Sequence, residues 1–172
     1  DFQIIAYSNF SGMEEAIKFV IASFSAYAPL DCQLIIKAHP WDAGLKNWRR
    51  IVLNTAKEYG VENRVEYLDG GDLDTLSRSA KGMITVNSTS GLSALMLDCP
   101  VKTIGQAIFD LEGLCFQQSL DLFWTNALPP DRQLLAAFLR LLAREYQIRG
   151  VFFEEQGMRA AVTEMSERLL NT

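Results

Sequence analysis

Short apolar runs rich in β-branched residues alternate with longer amphipathic stretches from residue 2 to residue 104 of this chain. Most of these runs are continuous, which is typical of parallel strands that are covered by helices on both faces. The alternation therefore predicts an α/β fold built on a doubly wound parallel sheet. The predicted strands are residues 2–7, 32–38, 64–68, 83–86 and 101–104, and the predicted helices are residues 13–27, 45–59, 72–80 and 91–97.

The pattern loosens over residues 105–128, and Pro129 and Pro130 then mark a boundary. Two further helices are predicted at residues 131–146 and 154–170. We therefore expect a ligand-binding domain over residues 1–128 and a helical extension over residues 129–172 that packs on the same domain. The chain begins almost directly with a predicted strand and has no initiator methionine, so we expect it to be a fragment of a longer protein.

Composition and charge exclude several classes of function. The net charge is −5 and acids and bases are interspersed, which argues against a nucleic-acid partner bound through a broad basic face. Cys32, Cys99 and Cys115 are widely spaced and lack a metal-binding pattern, as expected of free thiols in a reducing compartment. No apolar run is long enough to cross a membrane, and no signal peptide is evident. We therefore expect a cytoplasmic protein.

The most informative segment is the end of the predicted strand at residues 83–86. Free amides and the helix dipole at a helix N-terminus favour a bound anion, usually a phosphate. Four successive polar residues exceed what helix capping requires, although a cap formed by one hydroxyl alone is the plain alternative. The sequence therefore predicts a phosphate-binding loop. Its residues are Asn87, Ser88, Thr89, Ser90 and Gly91, of which Ser88 or Thr89 is the expected cap.

The chain's single histidine, His39, lies at the end of another predicted strand, after Lys37 and before Pro40. Proline favours an extended conformation in the residue before it, so the imidazole is expected to point out of the sheet edge. Imidazole can donate a hydrogen bond to a phosphate oxygen. Because ligands bind outside the carboxyl ends of parallel strands, Lys37, His39 and Pro40 are predicted to belong to the phosphate site.

Three other polar groups are weaker candidates. Asp72 and Asp74 resemble a metal-binding aspartate pair, but a cap and a first-turn acid explain both, so no metal site is predicted. Asp110 and Glu112 follow the last predicted strand and are candidates for contact with a ribose or a base. Arg49 and Arg50 are interpreted as a solvated helix face. No Ser-His-Asp set and no glycine-rich phosphate motif occurs.

The ordered set of motifs resembles the capsule polysaccharide synthesis and export proteins of Gram-negative bacteria. That family includes transferases that move Kdo, an eight-carbon acidic sugar, from its CMP-activated form to a lipid acceptor. The paired His-Pro and Ser/Thr motifs are also similar to those of bacterial GT-B sialyltransferases. The motifs are Ile-Ile-Lys-Ala-His-Pro at 35–40, Thr-Val-Asn-Ser-Thr-Ser-Gly-Leu at 85–92, Pro-Val-Lys-Thr-Ile-Gly at 100–105 and Gly-Leu at 113–114.

The resemblance implies that residues 2–115 form the Rossmann-like, carboxyl-terminal lobe of a GT-B glycosyltransferase. In that reading His39 contacts the phosphate of CMP, and Ser88, Thr89 and Ser90 hold it from the helix end. Ser93 stands where family members often carry a glutamate. The catalytic acid or base is expected in the other lobe, so no catalytic residue is assigned here and the fragment alone is expected to be inactive.

The implied partners are a nucleotide-sugar and, through the other lobe, a lipid or saccharide acceptor. The resemblance implies no cofactor besides the CMP-sugar donor, and it implies peripheral association with the capsule machinery of the inner membrane. Two alternatives stay open. One is a UDP-sugar transferase, epimerase or polyol-phosphate transferase of the same fold, and the other is a non-catalytic binding or scaffold domain of a capsule export assembly. The leading interpretation requires His39 and the hydroxyl-rich loop to face a common cleft.

Overall fold

The structure is a computed structural model that describes residues 2–39, 44–148, 150 and 153–170. The protein has a mixed α/β fold in which about half of the residues are helical and the strands are short and parallel. The chain divides into two units, Asp1–Asp131 and Arg132–Thr172. Each unit is described by itself.

Four strands form in the first unit, and they pair in parallel as the sequence predicts. The paired positions run from Leu34 opposite Val65 to Lys37 opposite Leu68, and from Met83 opposite Val101 to Thr85 opposite Thr103. Within the described residues these are two two-stranded sheets, so the prediction of five strands is wrong. The strands are β1 (Leu34–Lys37), β2 (Val65–Leu68), β3 (Met83–Thr85) and β4 (Val101–Thr103).

Helices connect the strands at the predicted places, and the prediction for residues 13–27 is confirmed residue for residue. One helix, in the segment where the sequence pattern loosens, was not predicted. The helices of this unit are α1 (Phe2–Tyr7), α2 (Met13–Tyr27), α3 (Trp48–Glu58), α4 (Leu73–Ser79), α5 (Ser90–Met96) and α6 (Leu120–Asn126).

The prediction of a strand at residues 2–7 is wrong, because this segment is α1. Within α1 only Ile4 is buried, while Phe2 and Ile5 are 79% and 57% exposed. Only one face of this short helix therefore packs against the rest of the unit. Hydrophobic period alone cannot separate a strand from a helix in so short an apolar run. The Ser8 hydroxyl donates to the Ile4 carbonyl at 2.6 Å and helps to end the helix.

The main core lies between α2, α3 and the β1–β2 pair. Ile21, Phe24, Val52 and Ala56 are fully buried there. Helix α3 presents its apolar side to this core and its charged side to solvent, as expected of an amphipathic surface helix. The buried cluster is Ile17, Ile21, Phe24, Ala28, Val52, Ala56, Val61, Val65 and Tyr67.

Arg64, directly before β2, joins the end of α2 to the start of β1. Its guanidinium donates to the carbonyls of Pro29 at 2.7 Å and Cys32 at 3.2 Å. The same group lies 4.5 Å from the centroid of the Phe24 ring. The Arg64 carbonyl accepts a hydrogen bond from the Leu34 amide at 2.8 Å, so this residue also starts the β1–β2 ladder.

A buried hydroxyl joins α2 to α6. The Ser23 side chain donates to Asp121 Oδ1 at 2.6 Å and accepts from Trp124 Nε1 at 2.8 Å. The Trp124 indole packs edge-on against Phe24 at a centroid distance of 5.2 Å. These contacts place α6 against the main core.

The second unit contains α7 (Arg132–Leu141), which continues as a π-helical segment (Leu142–Tyr146), and α8 (Glu155–Leu170). Arg168 on α8 donates to the carbonyls of Glu145 at 3.0 Å and Gln147 at 2.6 Å, and it pairs with Glu164. These hydrogen bonds satisfy carbonyl groups at and after the end of the π-helical segment, which lack helical partners. The predicted helices at residues 131–146 and 154–170 are confirmed, while the predicted boundary at residue 129 stays a prediction.

We predict that Ser23→Ala lowers the free energy of unfolding by about 1.5–3 kcal/mol, because it removes a hydrogen bond to a carboxylate and leaves the half-buried Trp124 indole N–H without its acceptor. Urea denaturation measures the change. Ser25→Ala on the same helix is the control, since among the described residues the Ser25 hydroxyl bonds only to the nearby Ala22 carbonyl. Its expected effect is below about 0.5 kcal/mol, and equal losses in the two variants would contradict the prediction.

Candidate functional site: a basic cavity at two strand ends

The carboxyl ends of β1 and β2 meet at one edge of their sheet. Lys37 lies opposite Leu68, and the Ala38 amide donates to the Leu68 carbonyl at 2.8 Å. The two chains therefore leave the sheet together, one as Ala38–His39 and the other as Asp69–Gly71. This edge is where ligands bind in open parallel sheets.

A cavity of about 540 Å³ opens at this edge, within the size range of small-molecule sites. Three parts of the chain surround it: the end of β1, the end of β2, and the start of α3 with the residues before it. The described lining residues are Lys37, Ala38, His39, Gly44, Lys46, Asn47, Trp48, Arg49, Tyr67, Asp69, Gly70 and Gly71.

Arg49 lines the cavity because α3 begins at Trp48, three residues later than predicted. The helix starts at Trp48, and the Asn47 side chain caps it by accepting from the Arg50 amide at 2.9 Å. Arg49 therefore lies in the first turn, which carries no acidic residue. Its guanidinium makes a long hydrogen bond of 3.4 Å to the Tyr67 carbonyl and lies 5.8 Å from the centroid of the Tyr67 ring.

The charges that line the cavity favour an anion. Lys46 is paired with Glu14 at 2.6 Å, so it adds little net charge. Lys37 donates only to the Ala38 carbonyl at 3.2 Å, and Arg49 has no carboxylate partner among the described residues. These two cations and the positive end of the α3 dipole outweigh Asp69, the one acid among the described lining residues, and raise the potential in one small volume.

The structure brings together part of the predicted phosphate site. Lys37 and His39 line the cavity, and Pro40 lies outside the described residues. Asn87, Ser88, Thr89, Ser90 and Gly91 follow the carboxyl end of β3 and do not line this cavity. Contact of both segments with a single ligand stays a prediction.

The Thr85 hydroxyl before the predicted phosphate loop and the Ser88 hydroxyl within it accept hydrogen bonds from two of the loop's amides. Thr85 Oγ1 accepts from the Ser88 amide at 3.1 Å, and Ser88 Oγ accepts from the Ser90 amide at 3.3 Å. The Ser88 and Ser90 hydroxyls lie 2.5 Å apart. Thr89 makes no side-chain capping bond. The side-chain oxygens thus occupy two of the amides that would otherwise meet a ligand.

Gly91 is explained by packing. A Cβ atom at this position would lie 2.8 Å from two atoms of the Phe109 ring and 3.1 Å from the Thr85 methyl group. Phe109 is 1% exposed, so its ring has little room to move. Glycine lets α5 approach the loop after β4 closely.

Asp110 and Glu112 lie in that loop, away from the basic cavity. Asp110 Oδ1 accepts from Gln117 Nε2 at 3.1 Å, and Glu112 is exposed. Their contact with a ribose or a base stays a prediction. In the same loop Cys115 donates to the Phe109 carbonyl at 3.3 Å, and burial raises the pKa of its thiol to about 12. That thiol is protonated at neutral pH and serves as a packing group.

Asp72 caps α4, as the sequence predicts. Its carboxylate accepts from the Thr75 hydroxyl at 2.6 Å and from the Thr75 amide at 2.8 Å. These hydrogen bonds hold the pKa of Asp72 below its usual value. Among the described residues no three His, Cys, Asp or Glu side chains are grouped as metal ligands.

Arg49 and Arg50 are both exposed, as the interpretation of a solvated helix face predicts, but they lie in the first turn of α3 and Arg49 also lines the cavity. Asp69, Gly70 and Gly71 were missed, although they follow a predicted strand directly and the rule that selected His39 selects them too. The place of Arg49 in the cavity was missed because the predicted start of α3 put both arginines beyond the first turn.

The fold and the cavity thus define an α/β protein with a basic, ligand-sized site at the carboxyl ends of two parallel strands. The chain belongs to the capsule polysaccharide biosynthesis protein family, whose model matches residues 1–153. The predicted family resemblance is confirmed. No helix in the described parts of the chain has both the length and the apolar composition to span a bilayer.

Curated relatives agree with this membership. The chain is 36% identical to the capsule polysaccharide export protein KpsS of Escherichia coli, over 89% of the chain and 39% of that relative. It is 35% identical to the capsule polysaccharide modification protein LipB of Neisseria meningitidis, over 90% of the chain and 37% of that relative. Protein FixF of Sinorhizobium fredii is 27% identical, over 85% of the chain and 42% of its own length. The chain therefore spans about two fifths of the length of these relatives, and no solved structure matches it.

We predict that Gly91→Ala lowers the free energy of unfolding by about 2 kcal/mol, because an overpacking cost of up to about 3 kcal/mol outweighs the gain in helix propensity of about 1 kcal/mol. Urea denaturation measures it. Ser93→Ala, at an exposed position of α5, is the control and should leave stability nearly unchanged. A stabilised Gly91→Ala variant would show that Phe109 can move aside.

Proposed function

We propose that this chain is the donor-binding lobe of a GT-B-type glycosyltransferase that uses a CMP-activated sugar, CMP-Kdo, in capsule polysaccharide assembly. The single observation that carries the proposal is the basic cavity at the carboxyl ends of β1 and β2, which Lys37, His39 and Arg49 line together. Family membership supports the pathway, and the predicted His-Pro motif supports the choice of nucleotide.

The cavity groups suit a phosphodiester. Arginine presents several N–H donors that match phosphate oxygens, lysine supplies a point charge, and imidazole supplies a further donor. The three groups come from two elements that are held by the β1–β2 register and by the start of α3. A phosphate bound among them gains charge-assisted hydrogen bonds without a large rearrangement of the protein.

The same groups assist departure of the nucleotide. As the bond between sugar and phosphate breaks, negative charge grows on the phosphate oxygens, and donors already in place stabilise that charge. The carboxylate that activates the acceptor belongs, in this proposal, to a lobe outside the chain. The chain by itself then binds the donor and transfers nothing.

The remaining parts of the proposal concern the whole protein. The acceptor is a lipid or a saccharide that the other lobe binds, no cofactor takes part, and the protein works in the cytoplasm beside the inner-membrane capsule machinery. We also propose that the β1–β2 and β3–β4 pairs belong to one Rossmann-like sheet.

Two alternatives are kept for test. A UDP-sugar transferase, epimerase or polyol-phosphate transferase would use the same cavity with another nucleotide. A non-catalytic scaffold of an export assembly is favoured by the similarity to the Escherichia coli relative, which is named an export protein. Calorimetric titration with CMP, UDP and CDP separates them. Preference for CMP supports the proposal, preference for UDP or CDP the first alternative, and absence of binding the scaffold.

We predict that His39→Ala weakens CMP binding by about 1.5–3 kcal/mol, the range for a hydrogen bond to a charged group. Isothermal calorimetry measures the change. Cytidine, which lacks the phosphate, is the control ligand and should bind both proteins equally. An unchanged CMP affinity would remove His39 from the site.

The neighbouring arginines offer a matched pair. Arg49 lines the cavity and Arg50 does not, although both are exposed residues of the first turn of α3. We expect Arg49→Ala to weaken CMP binding by about 1.5–3 kcal/mol and Arg50→Ala to change it by less than about 0.5 kcal/mol. The affinities are measured at a fixed salt concentration. Equal effects of the two substitutions would show that the arginines act on CMP through their general positive charge and that Arg49 makes no direct contact with it.

A further inference from the structure

Asp69 is the one acidic residue among the described residues that line the basic cavity. It follows β2 directly, on the same edge as His39, and it is exposed to the cavity solvent. Its carboxylate forms no hydrogen bond or ion pair with the other described residues, although Lys37 and Arg49 line the same space. The carboxylate is therefore available to a ligand.

The position of Asp69 relative to the cations suggests which part of a ligand it meets. Neighbouring strands lie about 4.8 Å apart, so the end of β2 is one strand spacing from the end of β1. A group bonded to a phosphate that Lys37 and His39 hold is therefore within reach of the end of the next strand, where Asp69 follows β2. In CMP that group is the ribose.

We propose that the Asp69 carboxylate accepts hydrogen bonds from the ribose hydroxyls of the nucleotide whose phosphate is bound by Lys37, His39 and Arg49. This inference rests on the proposed function. An ionised carboxylate only accepts hydrogen bonds, so it attracts hydroxyl donors and repels phosphate. Asp69 thereby selects a ribonucleotide and fixes the direction in which the nucleotide lies.

Two glycines after Asp69 leave room for the sugar. Gly70 and Gly71 have φ angles of 120° and 84°, a conformation that side chains disfavour. A Cβ atom added at either position would meet no atom of the other described residues within 4 Å, so these residues leave the space beside the glycines open. The loop from Asp69 to Gly71 therefore presents one carboxylate and otherwise bare backbone to the cavity.

The test compares two ligands that differ only in the ribose hydroxyls, CMP and 2′,3′-dideoxy-CMP, by calorimetry on the unaltered chain and on Asp69→Ala. The unaltered chain is expected to bind CMP more tightly by on the order of 10- to 100-fold, the range for hydrogen bonds to a charged group. Asp69→Ala is expected to abolish this preference and to leave binding of the dideoxy ligand in place. Asp69 makes no contact that the fold needs, so the variant is expected to fold, and thermal unfolding checks this.

Glu66→Ala is the matched control, because Glu66 is an exposed acid on β2 that does not line the cavity. This variant also loses one negative charge and should keep the preference for CMP. Equal binding of the two ligands by the unaltered chain would overturn the inference and leave the proposed function standing. A rise in affinity for both ligands in Asp69→Ala, with the preference kept, would overturn it too, since Asp69 would then act through charge alone. Absence of CMP binding by the unaltered chain would overturn the proposed function and this inference together.

Discussion

The guanidinium of Arg64 is the contact on which the arrangement of the first unit depends. The chain reverses between α2 and β1, and the carbonyls of Pro29 and Cys32 at that reversal have Arg64 as a hydrogen-bond donor. Stacking over Phe24 ties the same group to the main core. Charge-assisted hydrogen bonds are stronger than neutral ones, and this residue also opens the β1–β2 ladder through its own carbonyl. The register set here decides where both strands end and therefore which side chains share the cavity.

The cavity brings charges of both signs to the ends of a parallel pair of strands. The end of β1 carries Lys37 and His39, and the end of β2 carries Asp69. Helix α3 adds Arg49 from above the same edge, because its first turn begins at Trp48. A ligand that combines an anionic group with hydroxyl groups matches these cations and this carboxylate, and a nucleotide is such a ligand. The modest acidic net charge of the chain does not oppose it, since binding depends on the local field.

The sequence predicted the secondary-structure elements best where the spacing of apolar residues and the residues at the element's ends indicated the same structure. Helix α2 was placed residue for residue because its apolar spacing and first-turn acids point to the same structure. Helix α1 was missed because a six-residue, mainly apolar segment fits a strand and a helix equally well, and the choice depends on what packs against Ile4. Part of the site followed the same logic. His39 was found by its strand end, whereas Arg49 was missed because a predicted start of α3 three residues too early moved it out of the first turn.

The amino-acid sequence by itself determined the α/β class, the parallel pairing and the family, because these depend on hydrophobic period and on motifs that are local in the chain. Tertiary structure decided which strand ends face one another, because that depends on the β1–β2 register and on the helix that covers it. It also decided that the Thr85 and Ser88 hydroxyls accept from the Ser88 and Ser90 amides and that Gly91 makes room for Phe109. The strand register and the packing of Gly91 depend on contacts between residues far apart in the chain, and no local pattern records them.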